Sequence, residues 1–195
     1  MRWPHWEYYL AIEDNLARCA RFIEPSPGNM GTYSIELAQI MLLACSEIDV
    51  VQKMICQHLS PGISKIKIDN INKRHLVITN NLVTYTQLKC RIPRFNFGPC
   101  IPWKAWLPTQ YPEWWAAYNG IKHSRNENYC KASLHNAILS VMGLQVTLLS
   151  YYNLCCNNVD FVENPLVPNL VMPEGYAPSS PGGIILAFVF PSTSE

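Results

Sequence analysis

Between Asn119 and Arg125 the chain reads Asn-Gly-Ile-Lys-His-Ser-Arg, so an amide, an ammonium, an imidazole and a guanidinium stand within seven residues. His123 is the member that can gain or lose a proton near neutral pH, which makes it the natural acid/base group. Arg125 offers a planar fork of donors matched to phosphate, and Lys122 a mobile point charge. Asn119, one turn before His123, could fix the imidazole tautomer or donate to a phosphoryl oxygen. Cleavage of RNA through its own 2′-hydroxyl needs this inventory: a proton acceptor or donor, and cations to hold the phosphate. It requires no metal and no cofactor.

Helices must hold these groups. Pro112 suits a helix first turn, where its missing N–H costs nothing, and that helix should carry Trp114, Trp115, Tyr118 and Asn119 and end near Lys122. Ser124-Arg125-Asn126-Glu127 then fits a capping box that opens a new helix running to about Tyr152. Its core side would be Leu134, Ile138, Val141, Leu144, Leu148 and Tyr152. His123 and Arg125 would thus flank a helix N-terminus, whose free N–H groups favour an anion. The paired tryptophans are expected in the core, because their helix has to bury something.

Upstream, apolar residues at helical spacing predict a helix over 6–24, ended by Pro25, and a longer one over 34–59, stopped by Ser60-Pro61-Gly62. On the longer helix Asp49 and Lys53 stand four apart and suit a surface ion pair worth ~0.2–0.5 kcal/mol. Glu47 has apolar neighbours, and a partly buried acid wants a cation. Residues 64–80 allow a short helix, and 81–97 one or two short strands. Pro99, Pro102 and Pro108 pin the following connection, where Trp103 and Trp106 are expected to pack on the bundle.

Of the 195 residues, 49% are apolar and 15% charged, so the chain can build a core and general disorder is excluded. We read a helical domain over 1–156 and a proline-rich C-terminal extension over 157–195. Its apolar run Ile184–Phe190, after two glycines, reads as a strand that must be covered or paired. Net charge is +1, so nucleic-acid contact would need a local patch. The eight cysteines form no C-x-x-C pair and show no zinc spacing, which points to reduced thiols and a cytoplasmic protein. The start lacks the apolar core of a signal peptide. No window was expected to meet the ~18–20 apolar residues of a membrane span. His135 reads as a polar-face residue, and His5, His58 and His75 have no chemical company. No Ser/His/Asp pattern, P-loop or dinucleotide glycine motif is present.

The run Tyr118-Asn119-x-x-Lys122-His123-x-Arg125, led by Trp114-Trp115 and followed by a long apolar helix, resembles the HEPN superfamily. It looks most like uncharacterised bacterial HEPN-like proteins with a YNxxKHxR core. The likeness covers 6–153 in layout and 112–153 in motif. It implies a mainly α bundle of four to five helices, usually a homodimer, to which the strands read over 81–97 add a small β-containing insertion. Many such domains are metal-independent endoribonucleases of toxin–antitoxin, abortive-infection and CRISPR-linked defence. The family's catalytic motif sets an arginine and a polar residue a few positions before a histidine. Carried over, the polar residue is Asn119 and the histidine His123, whereas Tyr118 occupies the arginine slot. Either Arg125 or Lys122 then supplies the cation, or the domain binds nucleotide, RNA or a partner protein such as an antitoxin without cutting. Glu47 could fill the role of a supporting acid on an earlier helix. A purely structural subunit, its tail strand docked on another chain, is a third alternative.

Overall fold

A computed structural model describes residues 4–156 and 170–174. It is mainly helical. The first helix, α1 (Pro4–Cys19), buries Trp6, Tyr9, Ile12 and Leu16 along one stripe. It stops short of the expected Glu24, because the chain tightens into a turn and leaves Phe22 exposed. α2 (Ile35–Leu59) matches the predicted span, and the Ser34 hydroxyl accepts from the Leu37 N–H at 3.1 Å as its N-cap. α3 (Ile71–Asn81) confirms a short helix in the 64–80 region, capped by the Asn70 side chain at the Lys73 N–H.

Of the stretch expected to hold strands, Val83–Thr86 forms a 3-10 turn instead and Cys90–Ile92 forms β1, which pairs antiparallel with β2 (Phe97–Cys100), a strand lying mostly beyond the expected span. Gly98 (φ +99°) joins them closely: a Cβ there would meet the Cys90 carbonyl oxygen at 2.9 Å. Trp103 and Trp106 in the following connection are fully buried, as their sequence context predicts. α4 (Glu113–Asn128) starts behind Pro112, whose carbonyl accepts from the N–H groups of Trp115 and Ala116.

The predicted boundary after His123 is partly corrected. Ser124 does leave helical geometry (φ −145°, ψ 57°), but only one further turn follows, ending at Asn128. The long helix α5 (Leu134–Cys156) begins ten residues later than predicted. Its first N–H groups donate to acceptors outside the helix: Thr32 O takes the Leu134 N–H, Met30 O the His135 N–H, and the Ser133 hydroxyl the Asn136 N–H. Those partners make Ser133, rather than Ser124, the better place to start a buried helix.

α5 is the centre of the bundle, packed against α1, α2 and α4, and every residue from 141 to 150 is buried. It is also long and apolar enough, by length and composition alone, to cross a membrane, which corrects the sequence expectation. In the fold, 72% of that span is covered by protein. Finally β3 (Met172–Pro173) pairs with the free edge of β1, giving the sheet order β2-β1-β3. Part of the C-terminal extension therefore belongs to the bundle. The run Ile184–Phe190 lies outside the described residues.

Candidate functional site

A cleft of about 620 Å3 opens between the middle of α2, the start of α3 and the second half of α4. Helical spacing explains which α4 residues reach it. Positions 115, 118, 119, 122 and 123 recur at three or four residues and share one face, and all five line the cleft. Tyr118 is buried, Asn119 half-buried, and Lys122 and His123 are exposed. The Lys122 ammonium sits over the Tyr118 ring, 5.6 Å from its centroid, a cation–π arrangement. Burial, reinforced by Cys45 and Asp49, pushes the Tyr118 hydroxyl up to about 12. It stays protonated at neutral pH, so it can donate a hydrogen bond but cannot act as a base.

The opposite wall is charged. Lys53 of α2 donates to Asp49, and Lys73 of α3 pairs with Asp69 at 3.0 Å. The Lys73 hydrogen bond holds the Asp69 carboxyl below its ordinary range. Behind this wall lies Arg74, which has no solvent exposure. Its guanidinium donates to Asp49 Oδ1 (2.8 Å), Gln52 Oε1 (3.0 Å) and the Ile68 carbonyl (3.0 Å). Gln52 in turn donates to the Tyr85 hydroxyl, which bonds Thr147 Oγ1 at 2.6 Å, and Thr147 reaches the Gly143 carbonyl. A polar chain thus runs from Asp49 at the cleft to the backbone of α5. A buried charge needs this degree of satisfaction, since an unpaired one costs several kcal/mol.

Two expected site residues stand elsewhere. The break at Ser124 turns Arg125 off the α4 face, and it lines a separate groove with Ile35, Leu42 and Tyr129. Glu47 pairs with His5 of α1, not with the motif. The carboxylates in the cleft are those of Asp49 and Asp69. The helical segment that opens after Ser124, beside His123, is a single turn and not the long helix expected there. His135 is exposed as expected, whereas His75 is buried and its Nε2–H donates to the Trp106 carbonyl at 3.1 Å.

Sequence reasoning missed Arg74 and undervalued Asp49. Its local signal was an ordinary i, i+4 pair with Lys53, and the partner that gives it weight is 25 residues away. Among the described residues no group of three or more His, Cys, Asp or Glu is placed to hold a metal ion. No protein-family model, curated protein or solved structure matches the chain.

Proposed function

We propose that the chain is a HEPN-like module that takes RNA phosphate into the α2–α3–α4 cleft and cleaves it without a metal. His123 is the acid/base group, Asn119 orients the imidazole or the phosphoryl oxygen, and Lys122 supplies the cation. The observation that carries this reading is the shared face of Asn119, Lys122 and His123 in a cleft where the solvent-reached cations (Lys53, Lys73, Lys122) outnumber the acids (Asp49, Asp69). Lys122 is favoured over Arg125 because it stands in that cleft, over the Tyr118 ring that takes the motif's arginine position. A homodimer and an antitoxin-like partner accompany this reading as expectations of the resemblance.

A second reading is favoured by Tyr118 itself: a buried, protonated phenol brings no charge to the reacting phosphate, and the module would bind nucleotide or RNA without cutting. Incubating the purified protein with single-stranded RNA in a chelator separates the two. Cleavage that is lost in His123→Ala, with the circular-dichroism spectrum unchanged, supports the ribonuclease. Binding without cleavage selects the second reading, and cleavage undiminished in His123→Ala removes His123 from the mechanism.

A further inference from the structure

Cys90 and Cys100 are direct register partners on β1 and β2. Directly opposed residues of an antiparallel pair place their Cα atoms about 4.5–5.5 Å apart with side chains on one face. A disulfide needs a Cα separation of about 4.4–6.8 Å. The close passage of the strands at Gly98, against the Cys90 carbonyl, is a second sign that the backbones are held together here. Both cysteines are free thiols in this structure, Cys90 buried and Cys100 partly exposed. Burial pushes both thiols up, and the neighbouring Cys100 adds to the shift at Cys90.

We propose that this pair is a reversible redox modification site, closed to a Cys90–Cys100 disulfide by a low-molecular-weight disulfide of the glutathione class. The half-open Cys100 is the entry point. Its thiolate attacks the small disulfide, whose S–S bond breaks, and one thiol leaves carrying the proton lost by Cys100. The Cys90 sulfur then attacks Cys100 Sγ, displaces the second small thiolate and passes its proton to it. Two cysteine sulfurs are oxidised, one small disulfide is reduced to two thiols, and no other co-reactant is needed. Proximity favours the second step over release of the mixed disulfide.

The bond would tie β2 to the central strand, whose other edge holds β3. It would also remove the thiol proton that Cys90 donates to Gln145 Oε1 at 3.4 Å. The test treats the reduced full-length protein with oxidised glutathione, blocks remaining thiols with iodoacetamide and digests with trypsin. Cuts after Arg91 and Arg94 separate the two cysteines, so the bond is read as two joined peptides by mass spectrometry. The exposed Cys130 serves as the internal control that oxidant reacted. We expect the joined species in the native protein, its loss on reduction, and its absence in Cys100→Ser. Glutathione on Cys130 with Cys90 alkylated, or Cys100 stopped as a stable mixed disulfide, would overturn the proposal.

Discussion

Lys122 and Arg125 are three positions apart, and the chain separates them into different hollows because Ser124 breaks the helix between them. They are therefore expected to behave differently. Lys122→Ala should weaken RNA binding and flatten its salt dependence by about one unit of log–log slope, the effect of one lost phosphate contact. Arg125→Ala should leave both within about twofold. A salt titration of binding to fluorescent single-stranded RNA checks the contrast, and equal losses in the two variants would return Arg125 to the site. His75 gives a pH prediction. Burial lowers its pKa from 6.5, so below that value the unfolded chain binds the proton and the folded one resists it. Stability should fall as pH drops below about 6.5 and level off once the folded state also protonates. His75→Gln, which keeps a donor for the Trp106 carbonyl, should lose part of that slope in thermal melts from pH 7.5 to 5.

At the scale of elements, α5 and the tryptophans fit so closely that an ordinarily favourable substitution should reverse sign. Gly→Ala inside a helix normally gains about 1 kcal/mol. At Gly143, however, a Cβ would stand 2.8 Å from the Trp114 ring, which is itself fixed by its Nε1–H bond to the Pro102 carbonyl. Overpacking costs about 1–3 kcal/mol, so Gly143→Ala should destabilise in urea unfolding. The apolar spacing of α2 was readable directly, as were a strand before Phe97 and the buried tryptophans. The start of α5 was not. Ser124-x-x-Glu127 and Ser133 are both plausible caps, and the choice falls to Ser133 because Thr32 and Met30 deliver carbonyls to the N–H groups that follow it. Those carbonyls are some hundred residues away in sequence, where no local pattern reaches. The site was legible in the same measure: one face of α4 could be read, while the wall formed by Asp49 and Arg74 depended on pairing between helices.

Across the whole molecule, the C-terminal segment 170–174 is bound to the first helix. Buried Glu13 accepts from the N–H groups of Leu170 (3.0 Å) and Val171 (2.7 Å), and Gln145 holds both the Val171 carbonyl and the Tyr9 hydroxyl. A chain ending at 156 should accordingly unfold at lower urea than one ending at 174. The difference should be about 3–6 kcal/mol, since each of the two hydrogen bonds to the carboxylate contributes roughly 1.5–3 kcal/mol. Equal midpoints would show that the clamp adds nothing.

The joining of Glu13 to a segment 158 positions downstream also has a temporal side. On the ribosome the first helix emerges with a carboxylate whose backbone donors have yet to be made. Those donors arrive only once residues 170 and 171 have been synthesised. Contacts this remote in sequence form slowly relative to local helical pairs, so docking of residues 170–174 onto α1 should be a late step of refolding.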